Sequence, residues 1–131
     1  MTNVLVLGAG RVGKSVAELL LAAGRGAYRV TLADRDESNL RQAAANLSNL
    51  KARLPFPIEF NTLTLDASDR AALRAALKDH QYVICMLPFN CVAGLAEAAN
   101  DAGVHYFDVT EDVRTTDQVR AIHDSGRARV A

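Results

Sequence analysis

One stretch near the start of the chain, Val4-Leu5-Val6-Leu7-Gly8-Ala9-Gly10-Arg11-Val12-Gly13, constrains the fold more than any other. Its four consecutive apolar residues read as a strand buried on both faces, the pattern of a parallel sheet. Gly8, Gly10 and Gly13 then follow at G-x-G-x-x-G spacing, and Val12, Val16, Leu19, Leu20 and Ala23 recur at helical spacing. The glycines therefore occupy a strand-to-helix turn. In such a turn Gly8 takes the chain sharply out of the strand, Gly10 leaves the backbone open to a pyrophosphate, and Gly13 lets the helix close on the strand. The N–H groups and positive dipole end of the new helix face the same place.

The next strand, residues 28–33, ends at Asp34, which lies 21 residues after Gly13. A carboxylate there accepts hydrogen bonds from the ribose hydroxyls of an adenosine half. Three glycines and one acid thus form a single constellation that points to a dinucleotide. Asp34 would repel a 2′-phosphate, so the expected cofactor is NAD in preference to NADP, with Arg35 and Arg11 partly offsetting the repulsion.

Strand and helix signals alternate along the rest of the chain. Asp36 is placed to cap a helix with Leu40, Ala43, Ala44, Leu47, Leu50 and Leu54 on its apolar face, stopped by Pro55 and Pro57. Strands are expected at residues 58–65, 82–87 and 104–109. Between them, Ser68 or Asp69 caps a short helix, and a longer one runs from about residue 91 to Ala102, with Gly103 just past its end. A last helix carries Val119 and Ile122 and ends near Gly126; residues 127–131 read as the lead-in to a sixth strand. Strict alternation with short loops predicts one α/β domain over residues 1–131, a doubly wound parallel sheet (Rossmann fold) of strand order 3-2-1-4-5, with no substrate domain.

In such a sheet the ligand sits beyond the carboxyl ends of the strands. That rule selects Ala9, Arg11 and Val12 with the three glycines, then Asp34 and Arg35, Asp66 and Ala67, and Leu87 and Pro88. Asp66 with the small Ala67 would meet the adenine, and Leu87 with Pro88 the nicotinamide-side ribose. Asp108, Thr110, Glu111 and Asp112 form an acidic cluster after the fifth strand, read more simply as solvated surface.

Fifteen basic and fifteen acidic residues cancel, so no basic excess points to nucleic acid or a membrane surface. The apolar runs are too short to span a bilayer, and nothing resembles a signal peptide. A cytoplasmic protein is expected. Cys85 and Cys91 read as free thiols, Cys85 buried and Cys91 near a helix start where a thiol pKa can fall. No metal site is expected, because His80, His105 and His123 are scattered.

The 4–13 stretch resembles the N-terminal cofactor domain of saccharopine dehydrogenase-like proteins, as do residues 30–35, 65–69, 83–88 and 102–108. The Leu87-Pro88 strand ending and the Gly103-Val104-His105-Tyr106-Phe107-Asp108 run are its more specific parts. The resemblance implies an NAD(P)-dependent oxidoreductase of amino-acid (lysine) metabolism that acts on amino-acid-derived secondary amines. It also implies a second domain that holds the small amino-acid-like substrate, so no catalytic residue is assigned in this chain. A homodimer is a further expectation. The competing readings are a regulatory nucleotide-sensing domain of the potassium-transport type, whose fourth strand tends to end in polar or acidic residues, and a scaffold without ligand.

Overall fold

A computed structural model describes residues 1–108 and 113–124 of the chain. Along it alternate β1 (Thr2–Leu7), α1 (Arg11–Gly24), β2 (Tyr28–Asp34), α2 (Glu37–Arg53), β3 (Glu59–Thr64) and α3 (Arg70–Lys78). They are followed by β4 (Tyr82–Cys85), α4 (Phe89–Ala102), β5 (His105–Asp108) and α5 (Val113–Asp124). The strands pair in parallel in the order β3-β2-β1-β4-β5, the doubly wound sheet expected from the sequence.

The chain winds outward from β1 through β2 to β3, then crosses back to β4 and continues to β5. Right-handed crossovers place α1 and α2 on one face of the sheet and the later helices on the other. The two cores follow this division. Val4, Val6, Val30 and Leu32 pack with Ala17, Leu21, Leu40 and Leu47. Leu5, Leu7, Val83, Cys85 and Tyr106 pack with Leu73, Leu77, Leu95, Ala99 and Val119. Successive residues of β1 thus enter opposite cores, which is why the strand is apolar throughout rather than alternating. The register pairs Leu7 with Ala33 on one side and Cys85 on the other, so the three central strands finish nearly level. Their outgoing loops gather where the winding reverses, between β1 and β4.

Caps set the helix ends. Asp36 accepts from the Ser38 and Asn39 N–H groups at the start of α2. Asp69, rather than Ser68, caps α3 by accepting from Ala72 N–H. Gly103 closes α4 with φ 72°, and Val104 N–H donates back to Ala99 at 2.9 Å. That bond makes Val104 part of the helix ending, so β5 begins at His105. β4 ends at Cys85, short of the expected Leu87, for a related reason. β1 leaves the sheet at Gly8 and Met86 N–H makes the last bond to Leu7 at 2.8 Å, so on the β1 side Leu87 and Pro88 lie past the end of the pairing strand.

α1 differs most from expectation. Gly13, Ala17 and Leu21 are its buried residues, whereas Val12 is 58% and Leu19 66% exposed, and Ala23 is also exposed. The small side chains of Gly13 and Ala17 allow the closest approach to the sheet, so the helix rolls onto them and leaves part of its apolar stripe outside. Val109, Thr110, Glu111, Asp112, the helix ending near Gly126 and the sixth-strand lead-in lie outside the described residues.

Candidate functional site

The glycine turn is built from contacts that no side chain would permit. Gly8 has φ +105°, and a Cβ there would press on the Met86 backbone at 3.3 Å. A Cβ on Gly13 would overlap the Gly8 carbonyl oxygen and lie 2.8 Å from its carbon. Gly10 is different, since a Cβ there meets nothing within 4 Å. The fold itself therefore does not require glycine at this position, and the space in front of its backbone is open to a ligand.

Gly10 is also the N-cap of α1, and it offers no side-chain acceptor. The first turn carries no acid. This contrasts with α2 and α3, whose starts are satisfied by the Asp36 and Asp69 carboxylates. The first N–H groups of α1 and the positive end of its dipole are thus left for an external anion. Arg11 is exposed beside them.

Asp34 ties this turn to the next loop. Its Oδ2 accepts the Ala9 N–H at 2.8 Å, and its Oδ1 accepts the Asp36 N–H at 2.9 Å. Ala9 is 4% exposed, so this carboxylate satisfies a donor that water does not reach. Each oxygen keeps a second lone pair for a hydroxyl of a ligand.

A cleft of about 330 Å³ opens beside the turn, at the reversal between β1 and β4. Gly8, Asp34, Arg35, Asp66, Ala67, Leu87 and Pro88 line it, which unites seven of the residues selected from sequence. Ala9, Gly10, Arg11, Val12 and Gly13 belong to the adjoining turn and helix start rather than to the cleft wall. Asp66 Oδ1 accepts the Ser68 N–H at 2.9 Å and the Ser68 hydroxyl at 2.7 Å. The Ser68 hydroxyl bond above all, with the Ser68 N–H, holds the Asp66 carboxyl below its usual range, and the Arg35 charge adds a weaker pull.

Sequence reasoning missed four apolar or thiol members of the wall, Leu7, Ala33, Leu65 and Cys91, as well as Ser68. Leu7 and Ala33 are the last apolar residues of β1 and β2, Leu65 directly follows β3, and all three were legible from the same strand-end rule. Cys91 is half-buried in the first turn of α4. A second hollow, about 350 Å³, continues from Ala67, Ser68 and Cys91 between α3 and α4, where Arg70 donates to the Gly94 carbonyl at 3.0 Å. Neither cysteine forms a disulfide, and burial pushes the Cys85 thiol up, which keeps it protonated. Among the described residues no cluster of three or more His, Cys, Asp or Glu is arranged to hold a metal, and no helix is long and apolar enough to cross a membrane. The uncapped N–H groups, the open backbone at Gly10 and the acid-free first turn together fit a dinucleotide pyrophosphate.

Comparison with known proteins agrees with this geometry. Residues 4–130 match the family described as the saccharopine dehydrogenase NADP binding domain. The chain is 31% identical over 97 residues to a saccharopine dehydrogenase [NADP(+), L-glutamate-forming] of Saccharomyces cerevisiae, covering 74% of this chain and 19% of that protein. The Schizosaccharomyces pombe protein of the same name is 29% identical over 105 residues, covering 80% of this chain and 21% of that one. The chain therefore spans about a fifth of the length of these relatives. Among solved structures, apo saccharopine dehydrogenase (L-Glu forming) from Saccharomyces cerevisiae superposes with a TM-score of 0.75 at 22% identity, over 99% of this chain and 26% of that one. A Plasmodium falciparum malate dehydrogenase in complex with NADH gives 0.67 at 16% identity, over 94% and 40%. Nothing among these relatives points to a potassium-transport regulator. The turn, the acid, the cleft and the match across almost the whole sequence lead to one assignment: this chain belongs to the saccharopine dehydrogenase NADP-binding domain family.

Proposed function

We propose that the chain holds the nicotinamide dinucleotide of a saccharopine dehydrogenase-like oxidoreductase, and that the complete enzyme acts on amino-acid-derived secondary amines. The observation that carries this reading is the uncapped start of α1 standing over a cleft at the β1–β4 reversal. When bound, the dinucleotide supplies or accepts a hydride. The residues of the chain do the holding. The first N–H groups of α1 receive the pyrophosphate, and Asp34 fixes the turn that presents them. Asp66 and Ala67 border the adenosine half. Leu87 and Pro88, on the far side of β1, border the nicotinamide half. The substrate is held by a further domain, and two cysteines that form no disulfide suit the reducing cytoplasm, where we place the enzyme.

The choice between NAD and NADP rests on Asp34 and Arg35. A bare carboxylate after β2 favours NAD, the expectation from sequence. In the folded chain both Asp34 oxygens already accept backbone N–H groups, which spreads their charge, and Arg35 lines the same cleft. The family description and both curated relatives name NADP. These observations support NADP as the cofactor, with Arg35 beside its 2′-phosphate.

Thermal unfolding in the presence of NADP, NAD, ATP or AMP tests the reading. A ligand at one hundred times its Kd adds about 2.7 kcal/mol, a rise in Tm of about 8 °C for a domain of this size. A rise with NADP that exceeds the rise with ATP or AMP supports the assignment. No rise with either dinucleotide refutes it, and a response to ATP or AMP alone would favour a regulatory sensor instead.

A further inference from the structure

We propose that Arg70 is a cofactor-binding residue whose guanidinium, seated on Gly94, holds the adenine ring of the dinucleotide in the hollow between α3 and α4. This rests on the dinucleotide assignment above and adds to it a residue outside the cleft wall. Two residue choices here work against local structure. Arg70 is the first residue of α3, so its cation stands at the positive end of a helix dipole. Gly94 lies inside α4, where glycine weakens a helix and no left-handed backbone calls for it. Local rules of this kind are broken chiefly at functional sites.

Each choice explains the other. A Cβ on Gly94 would lie 2.8 Å from Arg70 Nη2, and the next nearest atoms, Cζ at 3.4 Å and Nη1 at 3.5 Å, belong to the same guanidinium. Arg70 Nη1 donates to the Gly94 carbonyl at 3.0 Å. Glycine thus makes a seat on α4, and the guanidinium lies in it. The neighbouring carboxylate of Asp69 is turned to the Ala72 N–H at 3.2 Å. Among the described residues no carboxylate forms an ion pair with Arg70. One N–H of the guanidinium is spent on Gly94, so the others serve a ligand.

The seat borders the space that the cofactor needs. Ala67, Ser68 and Cys91 line both the cleft and the hollow, so the two, about 330 and 350 Å³, form one continuous depression. The cleft alone lies at the small end of the range for drug-sized ligands, and a dinucleotide is larger than those. Asp34 and Arg35 stand on the ribose side of the cleft, and Asp66 and Ala67 on the adenine side. A ring that passes Ala67 enters the hollow, where Leu95 offers an apolar wall. A guanidinium both stacks on such a ring and donates to its edge nitrogens. Arg70 is distinct from Arg35, the cation placed beside the 2′-phosphate, and it acts on NAD and NADP alike.

Calorimetric titration of NADP and NAD into the 131-residue parent, Arg70→Ala and Gly94→Ala tests this. Arg70→Ala should bind both dinucleotides about tenfold more weakly, the loss of one charge-assisted contact. Gly94→Ala should melt no lower than the parent, because alanine suits a helix interior better and only the end of a flexible side chain has to move. It should nevertheless bind both dinucleotides about threefold more weakly, because the methyl pushes the guanidinium from its seat. A role for Arg70 in packing alone would leave both affinities unchanged. A loss of less than about twofold in Arg70→Ala overturns the proposal. A loss confined to NADP overturns it too, since Arg70 would then meet the 2′-phosphate rather than the ring. The parent titration reports separately on the underlying assignment: a parent that binds neither dinucleotide overturns both.

Discussion

Replacing Asp34 by alanine separates two roles that this residue could have. If it only reads a ribose, the free protein does not need it. In the structure it also accepts the Ala9 N–H at 2.8 Å and the Asp36 N–H at 2.9 Å. Asp36 is exposed, so water replaces that second bond at little cost. Ala9 is buried, and its N–H would be stranded. An unsatisfied buried donor costs about 1–3 kcal/mol. Asp34→Ala should therefore lose about 2 kcal/mol in the absence of any ligand, which lowers Tm by about 6–8 °C in a domain of this length. Asp34→Asn keeps an acceptor oxygen for Ala9 and should lose about half as much. Thermal and urea unfolding of the ligand-free proteins measure both. An Asp34→Ala protein that melts within about 1 °C of the parent would refute the claim that this carboxylate holds the turn.

Gly13→Ala should be far more damaging, costing more than about 3 kcal/mol in urea unfolding, because the new methyl would overlap the Gly8 carbonyl and both segments are fixed by the sheet. Arg35→Ala should weaken NADP about tenfold in a calorimetric titration, the loss of one charge-assisted contact, while NAD changes little. On the acid side, Asp36 and Asp66 titrate below the ordinary value of 3.8, chiefly because the Ser38 and Ser68 hydroxyls donate to them. Their depressed folded values mean that the stability they add is complete above that pH and is lost as pH falls through the lower folded values. The Asp36→Asn, Asp66→Asn double variant should accordingly show a flatter fall of Tm below pH 3.8 than the parent.

The parallel sheet and its order were legible because β1 and β4 are short apolar runs, because strands and helices alternate strictly, and because the glycine turn follows the first strand. The strand-end rule located seven of the cleft residues before any coordinates. Two things were not legible. The inward face of α1 does not follow from its apolar spacing, because hydropathy alone does not rank Val12 and Leu19 below Gly13 and Ala17, whereas closeness of approach decides which side touches the sheet. The second role of Asp34 was also hidden. Its hydrogen bond to Ala9 spans 25 residues of sequence and exists only because β1 and β2 end side by side. Cys91 joins the cleft for a similar reason, through the way α4 begins immediately after Pro88.

The central claim is that the open backbone at Gly10 faces a dinucleotide pyrophosphate, and a titration of NADP and NAD into the parent and into Gly10→Val tests it most directly. Gly10 has φ −70° and ψ −168°, which valine adopts without strain, and its new side chain would meet no protein atom within 4 Å of Cβ. The variant should therefore fold with the Tm of the parent. Its side chain would occupy the space of the pyrophosphate, so binding should fall by at least about a hundredfold, or about 2.8 kcal/mol. The parent should bind NADP and the variant neither dinucleotide. A Gly10→Val protein that binds NADP as tightly as the parent, or a folded parent that binds neither dinucleotide, would contradict it.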